Sequence, residues 1–151
     1  MNLLILFLAR TAMAYQFQTI GALGPTLVDA FKIDFAWLGI LIGFYMLPGT
    51  VFALPGGFLG QRYGSKNVVL FGLLLMAIGG ALTAVNLFPI AASGRLISGF
   101  GAVLINVIMT KMVTDWFAGR EIVTAMSIFI ASWPLGLALG LISFPVIAAA
   151  W

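Results

Sequence analysis

Five long apolar stretches divide the chain, and polar positions collect in the short breaks between them. The stretches cover residues 3–27, 37–58, 67–87, 90–112 and 122–149. Each is close to, or longer than, the roughly 20 residues that a helix needs to cross a bilayer. None alternates apolar with polar residues as a barrel strand would. In lipid the backbone must satisfy its own hydrogen bonds, so runs of this length are helices. The pattern predicts an all-α membrane protein with five transmembrane helices, forming one transmembrane region over residues 1–151.

The interruptions are few. The first stretch carries Arg10, Tyr15, Gln16 and Gln18 and weakens at Gly24-Pro25. The second contains Pro48 and Pro55, the third has no charge, and the fourth holds Arg95 and Asn106. The fifth contains Pro134, which deletes one backbone hydrogen bond and is expected to kink the helix. Between stretches lie a charged loop with Asp29, Lys32 and Asp34, the short connection Phe88-Pro89, and a polar loop over residues 114–121 with Asp115, Arg120 and Glu121. Residues 57–66 read as a basic, glycine-rich turn.

Composition narrows the class. Only 7% of the residues are charged and 63% are hydrophobic, whereas soluble domains carry about 25% charged residues. A water-soluble surface cannot be built from this chain, and its first partner is the lipid bilayer. The net charge of +3 is spread singly and makes no nucleic-acid patch. With no cysteine and no histidine, disulfides, thiol chemistry and most transition-metal sites are excluded. No cofactor is expected. A cleaved signal peptide is disfavoured, because Met1-Asn2 lacks a basic segment and Arg10 interrupts the apolar run ahead of Ala12-Met13-Ala14.

Lysine and arginine in the loops set the orientation. Arg62 and Lys66 follow the second stretch, and Lys111 and Arg120 follow the fourth. The expected topology therefore has a cytoplasmic amino terminus, cytoplasmic loops around residues 57–66 and 114–121, and Trp151 on the far side. The expected location is the plasma (inner) membrane.

Arg10 and Arg95 are the leading candidates for chemistry. A charge within a span costs about 2.5 kcal/mol or more at the centre and usually faces a water-filled cavity. The alternative is snorkelling to the interface, since Arg10 lies about 10 Å and Arg95 about 7.5 Å from an end of its span. Gly99, Ala102 and Asn106 follow Arg95 at offsets that share one helical face. That stripe suits close packing as well as a cavity wall. Tyr15 and Gln18 share a face of the first helix, and a solute or another helix could satisfy them. Ser132, Gly136, Gly140 and Ser143 form a small-residue face beside Pro134 that favours helix packing. The four acids all lie in loops, so no catalytic constellation and no proton relay within a span is present, and enzyme activity is not expected.

The 57–66 stretch resembles the loop motif of the major facilitator superfamily, roughly G-x-L-A-D-R-x-G-R-K. Gly57, Leu59, Arg62, Gly64 and Lys66 match it. Gln61 stands where that motif has an aspartate, which removes an ionic latch of the outward-open state or reduces it to a neutral hydrogen bond. Arg95 with Gly99 and Gly101 is similar to the family's fourth-span arginine–glycine motif. Pro134, Gly136 and Gly140 loosely resemble its fifth-span glycine–proline motif. The loop with Trp116-Phe117 is similar to that of the nitrate, nitrite and cyanate carriers. The resemblance implies twelve spans in two halves, of which this chain supplies five, a partial amino-terminal half awaiting its C-terminal helices.

The resulting expectation is secondary active transport of a small-molecule solute by alternating access, as part of a longer carrier. Arg10, Arg95, Tyr15, Gln18 and Asn106 are the expected solute contacts, and two cations favour an anion. Gly57, Leu59, Gln61, Arg62, Gly64 and Lys66 form the expected gating loop; Gly99, Pro134, Gly136 and Gly140 serve packing. The rival reading is a non-transporting membrane subunit or scaffold, or a non-functional truncated piece.

Overall fold

The computed structural model describes residues 2–85, 87–119 and 121–149. Arg120 and Trp151, which entered the topology argument, lie outside them. The chain is all-helical: α1 (Asn2–Ala22), α2 (Gly24–Phe31), α3 (Phe35–Tyr63), α4 (Ser65–Thr83), α5 (Phe88–Trp116) and α6 (Ile122–Ala149). Among the described residues, all except α2 are long and apolar enough to cross a membrane, with mean hydropathy from 1.3 to 1.9.

The element ends differ from the sequence pattern in ways that the local chemistry explains. The first helix stops at Ala22 rather than near Leu27, because Pro25 cannot donate the next helical hydrogen bond. Pro25 sits instead in the first turn of α2, where its missing N–H costs nothing. α2 ends at Phe31, followed by Lys32 in the left-handed region (φ 52°), while the Ile33 N–H donates back to the Val28 carbonyl at 3.2 Å. α3 runs five residues past its expected end at Phe58. The 57–66 turn is therefore helix up to Tyr63, and the chain reverses at Gly64 alone, whose φ of 82° strains any residue with a Cβ. α5 likewise extends through Trp116, so Thr114 and Asp115 are helical and Asp115 pairs with Lys111 one turn back.

The chain divides into two compact units, Met1–Leu23 with Thr110–Trp151, and Gly24–Met109. Helix α5 contributes to both.

In the second unit, glycines decide the packing. A Cβ on Gly94 would stand 2.6 Å from the Gly79 carbonyl, and one on Gly101 would stand 2.5 Å from the Gly72 carbonyl. These pairs are seven residues apart on each helix, so α4 and α5 run antiparallel with their backbones in contact. Small residues permit that approach, and in lipid close packing rather than hydrophobicity drives association. Ser98, buried between the pairs, lies 3.5 Å from the Met76 carbonyl, to which it donates. On α3, Gly56 and Gly60 lie beneath Leu104 and Ile108 of α5, and a Cβ on Gly60 would collide with Ile108. The Phe88 ring receives Phe31 and Trp37 edge-on at 6.3 and 5.3 Å.

In the first unit, α1 and α6 pack along their length. Gly136 lies against the Thr11 carbonyl and the Ala14 methyl, and Gly140 lies under the Gln18 side chain. Phe17 and Trp133 meet at 5.7 Å. α6 continues through Pro134 and Pro145 without a break in helical assignment.

Candidate functional site

In the first unit, α1 carries Arg10, Tyr15 and Gln18 along α6. The Arg10 guanidinium lies over the Phe129 ring, 4.3 Å from its centroid. Arg10 is half-buried, and its Nε has no hydrogen-bond partner among the described residues. Next to it, Thr11 Oγ1 lies 2.9 Å from the Phe7 carbonyl and 3.4 Å from the Ser132 carbonyl of α6. One turn on, the Tyr15 ring packs on Phe144 at 4.5 Å. Ser143 Oγ sits 2.9 Å from the Tyr15 hydroxyl and 2.7 Å from the Leu139 carbonyl. A hydroxyl has one proton, so Ser143 gives its own to the carbonyl and accepts that of Tyr15. Gln18 is half-buried over Gly140.

This surface is polar in an unusual way for a membrane helix pair. It offers guanidinium N–H donors, a tyrosine hydroxyl and a carboxamide along about 12 Å of α1, at 1.5 Å per residue. In hydrocarbon such groups need partners. Tyr15 has one in Ser143. The Arg10 Nε does not, and its ring contact satisfies the charge but no N–H.

In the second unit, Arg95 sits in α5 with 2% of its surface exposed. Its Nε donates to the Leu41 carbonyl of α3 at 3.4 Å, and its guanidinium lies 4.6 Å from the Tyr45 ring centroid. Gly99, one turn along α5, faces the backbone of the same Tyr45 so closely that a Cβ there would overlap the Tyr45 carbonyl. The Arg-x-x-x-Gly spacing thus grips one residue of α3 twice, by its ring and by its backbone. Asn106 lies two turns beyond Gly99, half-buried on α5.

The structure therefore gathers Arg10, Tyr15 and Gln18 with Gly136 and Gly140 in one unit, and Arg95 with Gly99 in the other. Sequence reading missed Tyr45, Phe129, Ser132 and Ser143 as partners. For the arginines the available signal was weak: an aromatic residue in another span gives no spacing to follow. The paired glycines of α4 and α5 were missed as well, although 72 and 79 repeat the seven-residue spacing of 94 and 101.

Of the remaining residues of the loop motif, Gly57 is open to its surroundings on α3, while Gln61, Arg62 and Lys66 are exposed. Asn67 at the start of α4 donates to the Tyr63 carbonyl at 3.1 Å, tying the two helices across Gly64.

Comparison with known proteins gives the family. The family model of the Major Facilitator Superfamily matches residues 6–151. The chain is 32% identical over 125 residues to the human protein named choline/ethanolamine transporter FLVCR2, covering 80% of this chain and 23% of that protein. It is 29% identical over 112 residues to an uncharacterized transporter of Buchnera aphidicola, covering 74% and 28%. It is 27% identical over 111 residues to the quinolone resistance protein NorB of Staphylococcus aureus, covering 72% and 24%. The chain thus spans about a quarter of the length of the relatives it matches. With its apolar helices, its arginine–glycine helix and its match along nearly the whole sequence, the chain is an integral membrane protein that belongs to the Major Facilitator Superfamily.

Proposed function

We propose that the chain forms the front of a longer carrier that moves a small solute across the plasma (inner) membrane by alternating access, with its amino terminus in the cytoplasm. The family match supports membrane transport, and the quarter-length coverage of its relatives supports a longer protein with further C-terminal helices. The observation that carries the solute assignment is Arg10. Its guanidinium is held on a ring within an apolar helix pair, with an N–H still to be satisfied. Tyr15 and Gln18 extend the same face. Asn106 is proposed as a further contact, while Arg95, enclosed against Leu41 and Tyr45, is proposed to act on the solute through its charge alone. Two cations within spans favour an anion by Coulomb attraction in low dielectric, in keeping with the resemblance to nitrate, nitrite and cyanate carriers.

One observation favours a second reading. The relative at 32% identity is named for choline and ethanolamine, and Tyr15, Phe17, Trp133 and Phe144 supply the aromatic faces that bind quaternary ammonium groups. Uptake into proteoliposomes holding the full-length carrier separates the two. Nitrate, nitrite or cyanate uptake that is lost in Arg10→Ala supports the anion. Choline uptake that survives Arg10→Ala but not Tyr15→Ala replaces it.

A further inference from the structure

Arg10 is restrained by a ring and not by an acid. None of the four acids, Asp29, Asp34, Asp115 and Glu121, lies within an apolar stretch. The Arg10 guanidinium lies instead over Phe129 of α6, 4.3 Å from the ring centroid. A guanidinium is planar and carries all its N–H groups at its edge. A carboxylate partner would occupy that edge. A ring against the plane compensates part of the charge and consumes no donor. The Nε, without a partner among the described residues, is in keeping with donors left unspent.

The ring is itself held in place. Phe129 is fully buried, whereas Arg10 is half-buried. Ser132 Oγ donates to the Phe129 carbonyl at 2.5 Å, which fixes the turn of α6 that carries the ring. Thr11, next to Arg10, reaches across to the Ser132 carbonyl at 3.4 Å. The two helices are therefore tied together within one turn of both the arginine and the phenylalanine. A fully buried ring does not touch a solute, so whatever Phe129 does for solute binding passes through Arg10.

We propose that Phe129 is a positioning residue, a buried platform that fixes the plane of the Arg10 guanidinium so that its edge meets a small oxyanion, a carboxylate or nitrate, through two oxygens at once. The inference rests on the reading of Arg10 as a solute contact and adds to it the residue that aims the fork. The fork matches two side-by-side oxygens but gains nothing in fit from a single-point anion such as chloride. Fixing the plane before the solute arrives raises affinity, because the ordering of the side chain is already complete.

Transport kinetics test it in proteoliposomes holding the full-length carrier, with nitrate and formate as the two probes. Phe129→fluorophenylalanine, difluorophenylalanine and trifluorophenylalanine keep the shape of the ring and drain the negative charge from its face. KM for the probe that is carried should climb stepwise along this series. It should reach roughly tenfold at the trifluoro ring, the worth of a largely desolvated cation–ring contact, while kcat stays near its starting value. Phe129→Leu should match the trifluoro protein. Inhibition by chloride should not weaken along the series. A ring that only fills space gives the opposite result, a flat KM across the fluorinated proteins with Phe129→Leu alone impaired, and this overturns the proposal. Chloride inhibition that weakens in step with KM overturns the two-oxygen geometry, and transport of neither probe overturns the oxyanion class. Uptake lost in Arg10→Ala with a flat fluorine series removes the positioning role and leaves Arg10 as a contact. Uptake indifferent to Arg10→Ala removes both.

Discussion

The two arginines inside apolar helices are held in opposite ways. Arg95 is enclosed: its Nε reaches the Leu41 carbonyl, its guanidinium lies on Tyr45, and Gly99 brings the Tyr45 backbone against the same helix. Arg10 has a ring as well, Phe129, at nearly the same distance, but its Nε is left without a protein partner. A cation in a span costs about 2.5–3.5 kcal/mol, and a desolvated ring contact returns about 2 kcal/mol. The ring alone therefore comes close to tolerating the charge, and the hydrogen bonds decide what the charge is for. Where the protein supplies them, the arginine joins two helices. Where it withholds one, as at Arg10, a donor is left over among the described residues, which is what the proposed solute contact requires.

The strongest way to break this contrast is to attack the seat of Arg95. Gly99→Leu would drive a side chain into the Tyr45 backbone, and moving a packed helix costs more than the usual overpacking penalty of about 1–3 kcal/mol. Unfolding in detergent should show a loss above about 3 kcal/mol. A loss below 1 kcal/mol would mean that the two helices do not meet there. Next in size is Arg95→Leu, which removes the stacked cation and its carbonyl bond together. A loss of about 2 kcal/mol is expected. Tyr45→Leu in the same background should then add little, because the contact has already gone. A coupling of about 1 kcal/mol or more between the two positions checks this pairing.

Much of this architecture was legible in the pattern of apolar runs. Span number follows from bilayer thickness and helix rise, so five runs gave five long helices. The small-residue faces of the fourth and fifth runs reappear where a neighbouring backbone comes close at Gly99 and Gly136, and where Gln18 lies over Gly140. Helix ends were less legible, because a polar or glycine-rich segment looks like a loop whether or not it is helical. Residues 57–63 illustrate this: Gly60 reads as a turn residue, yet it is a helical glycine under Ile108. The arginines were visible as anomalies but their partners were not. Tyr45 is fifty residues from Arg95, and Phe129 is 119 from Arg10. No local spacing links such pairs, and only the packed helices bring them together.

Arg10→Ala sharpens the contrast from the other side. It removes a half-buried cation with one ring contact, so stability should fall by about 1 kcal/mol, clearly less than for Arg95→Leu. Uptake by the full-length carrier should instead drop by roughly tenfold or more, the value of a charge-assisted hydrogen bond lost to the solute. Equal losses of stability for the two arginines, with uptake unchanged, would erase the distinction drawn between them.

The smallest effect belongs to the pair that makes the Arg10 face rigid. Ser143 accepts the Tyr15 proton while its own goes to Leu139, so Ser143→Ala leaves the Tyr15 hydroxyl with nothing on α6 to donate to. Interhelical hydrogen bonds in membranes average about 0.6 kcal/mol, and the stability loss should be of that order. Tyr15→Phe should cost the same, and combining the two should cost no more than either alone. The consequence for transport differs between them. Tyr15→Phe removes the hydroxyl altogether, while Ser143→Ala leaves it on the ring, free to turn toward a solute next to Arg10. If Tyr15 contacts the solute, Ser143→Ala should preserve uptake and Tyr15→Phe should reduce it. If Tyr15 is there only to pin α1 to α6, the two variants should be indistinguishable in both measurements.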